Sequence, residues 1–169
     1  MCRQIPIRHR RSTAQAVVVI SLRQAGASDA PACRALSRAA YAKWVPLIGR
    51  EPWPMTADYD AALRSHRIDL LYDGVALAGV IETINKPDHL LVENLAVAPD
   101  HQGRGHARTL MAHAERLAPA NGHQEIRLYT NSRFATNIAL YQRLGFEISH
   151  IEAIHIGEVT HMRKRLKVP

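Results

Sequence analysis

The stretch that most constrains this sequence is Leu95-Ala96-Val97-Ala98-Pro99-Asp100-His101-Gln102-Gly103-Arg104-Gly105-His106-Ala107. An apolar, strand-like run reaches a proline, and a loop with two glycines opens directly into a helix. The helix is marked by Ala107, Leu110, Met111, Ala114 and Leu117, spaced as one buried face. The first turn of a helix leaves N–H groups without acceptors and carries the positive end of the dipole. The junction is therefore built to receive an anion. Gly103 and Gly105 let the backbone approach a bulky diphosphate with no Cβ in the way. Arg104 and Arg108 can add charge-assisted contacts. A plain turn closed by a glycine is the simpler alternative. Two other phosphate loops are excluded. A Walker loop ends Gly-Lys-Ser/Thr, whereas His106 follows Gly105, and a dinucleotide fingerprint needs a small residue where Arg108 stands.

The rest of the chain supplies the elements around this junction. The β-branched run predicts a strand over Val17–Arg23. Ser28 or Asp29 can cap a helix with Pro31 in its first turn, running through Ala40 with Leu36 and Ala39 on one face. Residues 41–54 hold three prolines, a glycine and both tryptophans, a loop too apolar for an idle linker. A helix is expected near Thr56–His66. A hairpin follows, Asp69–Tyr72 and Val75–Asn85 around Asp73-Gly74. After a turn at Lys86-Pro87-Asp88 comes a central strand, His89–Val97. The junction helix spans Arg104–Ala118, followed by a strand at Ile126–Thr130 and a helix at Thr136–Leu144 stopped by Gly145. Phe146–Ile156 and Glu158–Leu166 close the chain as a hairpin around Gly157. The order β-α-α-β-β-β-α-β-α-β-β predicts one α/β domain with a mixed sheet over residues 17–169.

Charge narrows the partners. The chain has 22 basic and 15 acidic residues, a net charge of +7. Four arginines and no acid lie in residues 1–16, and Arg163, Lys164, Arg165 and Lys167 lie at the other end. The 14 basic residues left between them face all 15 acidic ones, so the body is near neutral. This speaks against a nucleic-acid module and for a solvated basic tail and a disordered basic leader over 1–16. No apolar run approaches the roughly 18 residues of a membrane span. Two cysteines, Cys2 and Cys33, provide no disulfide framework and suit a reducing cytoplasm. The ten histidines form no ligand motif, and no metal is expected.

At the junction the sequence resembles the GNAT acetyltransferase superfamily. Gln102, Gly105 and Ala107 match its Gln/Arg-x-x-Gly-x-Gly/Ala loop. Downstream, Asn137-Ile138-Ala139-Leu140-Tyr141-Gln142-Arg143-Leu144-Gly145-Phe146 is similar to its second signature. The resemblance implies a fold in which the fourth and fifth strands splay apart. It implies acetyl-CoA as co-substrate, its pantetheine arm pairing with the strand end Leu95-Ala96-Val97. Its pyrophosphate would rest on the amides of Gln102, Gly103, Arg104, Gly105, His106 and Ala107. Asn137 would hydrogen-bond the cofactor, and Tyr141 would protonate the departing thiolate.

The residues can also be read without the family. A phenol with a pKa of about 10 is a donor that stays protonated until needed, which suits Tyr141 to a leaving thiolate. The alternative is a tyrosine packed on Leu140 and Leu144. A protonated amine must lose a proton before it attacks, and Glu93 interrupts the apolar fourth strand. Strict alternation puts Glu93 on the face of Leu91 and Leu95, where desolvation would make it a better proton acceptor. A water relay is the alternative, since the fifth strand offers Tyr129 at the other position where the family places a base. Tyr41, Trp44, Trp53 and Tyr129 are expected to line a partly apolar acceptor site roofed by residues 41–55. The expected activity is transfer of an acetyl group to a primary amine of a small molecule or peptide. The rival reading is a non-catalytic acyl-CoA-binding sensor. Oligomeric state is not legible.

Overall fold

The computed structural model describes residues 19–167. The basic leader and Val17-Val18 of the first expected strand lie outside the described residues. Seven strands form one sheet: β1 Ile20–Gln24, β2 Arg67–Asp73, β3 Ala76–Asn85, β4 Leu90–Val97, β5 Glu125–Asn131, β6 Glu147–Ile154 and β7 Gly157–Arg165. Their spatial order is β1-β2-β3-β4-β5-β7-β6. Only β4 and β5 run parallel, joined by the crossover helix α5, His106–Ala120. They pair at Leu90–Ile126, Leu91–Arg127 and Val92–Leu128 and then part. The expected splay is present.

Helices cover both faces. On one, α5 lays Leu110, Met111, Ala114 and Ala118 against Ile81, Val92, Ile126 and Met162. On the other lie α1, Ala30–Tyr41, and α4, Tyr59–Ser65. There Cys33, Leu36, Tyr59 and Ala62 meet Ile68, Leu70, Val80 and Ala96. The buried stripe of α1 is Cys33, Leu36, Ser37 and Ala40; Ala39, expected beside Leu36, is exposed. Asp29 flanks α1, but its carboxylate turns back to the Gly26 N–H (2.8 Å) and to Arg23 (2.8 Å). Burial on the same face pushes the Cys33 thiol up to about 11, so it is inert packing.

The proline-rich loop is partly helical. Pro46 and Pro54 open two short helices, α2 Val45–Ile48 and α3 Trp53–Thr56, because proline's fixed φ suits a first turn. The helix expected from Thr56 starts at Tyr59, where the Asp58 carboxylate caps it by accepting from the Ala61 N–H at 3.0 Å. The last helix, α6, is Ala135–Arg143. The C-terminal cations are not all solvated: Arg163 pairs with Glu147 (2.9 Å), and Lys164 pairs with Glu115 (2.6 Å). No helix among the described residues is long and apolar enough to cross a membrane.

Candidate active site

One extra residue in β4 decides the site. Glu82 of β3 faces Asn94 and Thr83 faces Val92, so Glu93 between them has no partner and bulges. Before it, Leu90 and Val92 face the α5 core; after it, Leu95 and Val97 do. Asn94 and Ala96 take the opposite face, where the Asn94 amide donates to Ser37 (3.3 Å) and Tyr59 (3.1 Å). The bulge thus switches the parity of the strand and sends Glu93 and Asn94 to one side. Glu93 does not share the face of Leu95, because alternation holds only for a strand in register.

The splay divides the surface into two clefts that share Tyr41. The first, a groove of about 410 Å³, runs from Leu95-Ala96-Val97 over Gln102, Gly103, Gly105, His106 and Ala107 to Asn137 and Tyr141. The Ala98 N–H donates to Ala78 on β3. By alternation, the peptide groups of Leu95 and Val97 therefore turn away from β3 into the gap. There the Leu95 carbonyl accepts from the Tyr41 hydroxyl (3.2 Å) and the Val97 carbonyl from the Gln102 side chain (3.0 Å). Gly103 and Gly105 have φ of 77° and 86°, in the left-handed region that favours glycine. A Cβ at either would meet nothing within 4 Å, so both open onto free space. Among the described residues the N–H groups from Gly103 to Arg108 have no protein acceptor. Strand-edge carbonyls met only by side chains, beside a run of free N–H groups at a helix start, fit an amide-bearing arm that ends in a diphosphate.

The loop's side chains serve differently from expectation. Arg104 leans toward Asp73 (3.5 Å), and His106 is buried with Nε2 3.2 Å from the same carboxylate. Asp73 anchors the loop from below, so these two residues can offer their amides rather than their side chains. Arg108, Lys43 and Arg143 line the groove instead. Lys43 also donates to the Gln102 side chain (3.0 Å).

Tyr141 lies in this groove, buried on α6, edge-on to Phe146 at 6.2 Å. Desolvation pushes its hydroxyl up to about 12. Trp44, expected with the acceptor residues, also lines this groove and stacks on Phe134 at 4.4 Å. Sequence spacing cannot separate the two tryptophans, because the short helices between them turn one to each cleft.

The second cleft, about 320 Å³, is walled by Trp53, Tyr129, Ile48, Phe134 and Val159 and holds Glu82, Glu93 and His66. The Tyr129 hydroxyl donates to Glu93 Oε1 at 2.6 Å, and burial followed by this bond holds the phenol well above its ordinary value. Glu82 is buried with Oε1 2.6 Å from His66 Nδ1. Burial raises its proton affinity, His66 opposes this, and the charge of Glu93 adds to it. Sequence reasoning missed Glu82, although it interrupts an apolar strand just as Glu93 does. No group of three or more metal-ligating side chains occurs among the described residues.

The splayed parallel pair and the anion-ready helix start are the features that the resemblance to acetyltransferases implies. The sequence profile described as "Acetyltransferase (GNAT) family" matches residues 33–146, and the chain belongs to that family. Acetyl transfer is the class of reaction that membership carries. A search of curated proteins gives no match. Solved structures share the fold. The PaiA N-acetyltransferase from Thermoplasma acidophilum, in complex with coenzyme A, superposes with a TM-score of 0.75 at 17% identity, covering 87% of this chain and 99% of that one. The ribosomal-protein-S18-alanine N-acetyltransferase from Escherichia coli gives 0.72 at 21% identity, covering 89% and 96%. YncA from Salmonella typhimurium, a putative acetyltransferase solved with its cofactor acetyl-CoA, gives 0.66 at 20%, covering 89% and 96%.

Proposed function

We propose that this protein is an N-acetyltransferase that passes an acetyl group from acetyl-CoA directly to a primary amine carried on an apolar or aromatic body. The observation that carries the reading is the meeting of the two clefts at the splay. Tyr141 lies on the groove side and the Tyr129–Glu93 pair on the cavity side. An acetyl thioester supplies an activated acyl carbon and a thiolate leaving group.

The chain's residues do the rest. The Gly103–Ala107 amides hold the diphosphate, and the Leu95 and Val97 peptide edges orient the arm. Asn137 stands on the same groove as a further polar contact. Glu93 accepts the ammonium proton, directly or through water, while Tyr129 fixes the carboxylate's position by its hydrogen bond. Tyr141 donates a hydrogen bond to the departing thiolate. With its hydroxyl pushed up to about 12, full transfer to a thiolate is uphill, because the thiol is the stronger acid. Stabilisation of developing charge is therefore its larger share.

The acceptor follows from the cavity lining. Trp53, Tyr129, Ile48, Phe134 and Val159 surround an apolar body, and Glu82 and Glu93 favour the ammonium form on arrival. An open cavity of about 320 Å³ beside the groove counts against a sensor that only binds acyl-CoA. A free, buried Cys33 suits work in the cytoplasm. The test is incubation with acetyl-CoA and a panel of aliphatic, aromatic and amino-acid amines and peptides, following free thiol and acceptor mass. Thiol release with acetylated arylalkylamines is the expected result. Tight acetyl-CoA binding without transfer to any amine would favour the sensor.

A further inference from the structure

One residue on the wall of the acceptor cavity has no role in transfer to a purely apolar amine. Arg50 is the only arginine or lysine among the described residues that line that cavity. It is half-buried in the link between α2 and α3, just after Gly49 ends α2 at φ 73°. Among the described residues its guanidinium makes one hydrogen bond, from Nη1 to the Glu51 backbone carbonyl at 3.2 Å. Its Nε is buried and has no acceptor.

The acids close by in sequence are committed elsewhere. Arg38 holds the Glu51 carboxylate at 2.6 Å, and Asp58 caps α4 through the Ala61 N–H at 3.0 Å. Arg34 has likewise found an acid, Asp60 at 3.0 Å. A buried donor without an acceptor is costly, and an arginine cannot shed its proton to relieve the cost. The planar fork of a guanidinium matches a carboxylate, which it can grip with two parallel hydrogen bonds.

Contacts order the cavity from end to end. The Arg50 guanidinium lies 6.0 Å from the Trp53 ring, and Trp53 meets Tyr129 edge-on at 6.4 Å. The Tyr129 hydroxyl then reaches Glu93 at 2.6 Å. A cation stands at one end of two aromatic rings and a carboxylate at the other. Glu82 stands in the same cavity as Glu93. A carboxylate attached beside the acceptor's amine would be brought against these two acids and repelled.

We propose that Arg50 determines specificity, and that the acceptor carries a carboxylate at the end of its apolar body remote from the amine. The inference rests on the proposed function, in which the amine is delivered to Glu93.

Acceptors built on one skeleton test it: phenethylamine, phenylalanine with a carboxylate beside the amine, and para-(aminoethyl)benzoate with a carboxylate at the far end. The benzoate is expected to exceed phenethylamine in kcat/KM by at least about tenfold, as a charge-assisted pair in a partly desolvated site would give. Phenylalanine is expected to be the poorest of the three. Arg50→Met keeps an apolar stem, and is expected to bring the ratio of benzoate to phenethylamine down to about one. Arg50→Glu is expected to reverse the preference, favouring para-(aminoethyl)benzylamine over the benzoate. Circular dichroism checks that both variants fold. Equal use of benzoate and phenethylamine by wild type, a preference that Arg50→Met leaves intact, or phenylalanine as the best acceptor overturns the inference and leaves the proposed function standing. Failure of every amine to release thiol would bring down the proposed function, and the inference with it.

Discussion

The Tyr129 hydroxyl donates a 2.6 Å hydrogen bond to Glu93 Oε1 across the gap where β4 and β5 separate. The bond joins Glu93, the expected proton acceptor, to Tyr129, which stands at the other position where the family places a base. On the proposed function it makes them one unit: a carboxylate that would receive the proton and a phenol that fixes its direction. Tyr129 is held well above its ordinary value and stays a donor throughout the working pH range.

Glu93→Gln is therefore expected to lower turnover by about 10²–10⁴-fold, the usual worth of a positioned base. Acetyl-CoA affinity by calorimetric titration should be unchanged. The deficit should shrink as pH approaches the acceptor amine's own pKa, because free amine then arrives without help. A constant deficit across pH would assign Glu93 to acceptor binding instead.

Tyr141→Phe keeps the ring that packs on Phe146 and removes only the donor. Turnover is expected to fall about 10²-fold, the lower end for acid catalysis, because on the proposed function the hydroxyl stabilises the leaving group more than it protonates it. Melting temperature should move little. A thioester with a more acidic thiol should show a smaller loss, and equal losses with both thioesters would remove Tyr141 from the leaving-group side.

Glu82 gives a prediction about stability. Its folded pKa is raised above the unfolded value, chiefly by burial. The folded state therefore binds the proton more readily, and the protonated group contributes stability that is lost as pH rises through the folded pKa. Glu82→Gln removes the buried charge while keeping an acceptor for His66. The variant is expected to melt higher than wild type at neutral pH, with the difference narrowing as pH falls through the raised folded pKa and closed by about pH 4, near the value of a free glutamate. A variant that melts lower at pH 7 would show that the His66 ion pair outweighs the desolvation.

Much of this was legible in the sequence, for identifiable reasons. Gly103 and Gly105 report backbone conformation, and a loop opening into a helix is a local fact. The splay followed from family resemblance, and the β4–β5 register shows it. The face of Glu93 was misread because a bulge is a property of two strands, and its partners Glu82 and Thr83 lie far away in sequence. The Asp73 anchor under the loop was invisible for the same reason: the hairpin turn that carries it gives no sign of His106.

Trp44 and Trp53 provide the sharpest remaining test, because only the fold separates them. Trp44 is half-buried on the groove, stacked on Phe134 and with Lys43 Nζ 5.0 Å from its ring. Trp53 is 50% exposed on the cavity, edge-on to Tyr129 at 6.4 Å. Trp53→Ala is expected to raise the acceptor KM by about tenfold, roughly 1.4 kcal/mol of lost contact, while acetyl-CoA affinity holds. Its exposure means little stability is lost. Trp44→Ala should do the opposite. It leaves the acceptor KM near wild type, weakens acetyl-CoA binding, and lowers stability by about 0.5–1.5 kcal/mol through the lost aromatic stack. Steady-state kinetics in both substrates, with melting curves for each variant, check the pair together. If Trp44→Ala raises the acceptor KM and spares cofactor affinity, the two clefts have been assigned to the wrong substrates.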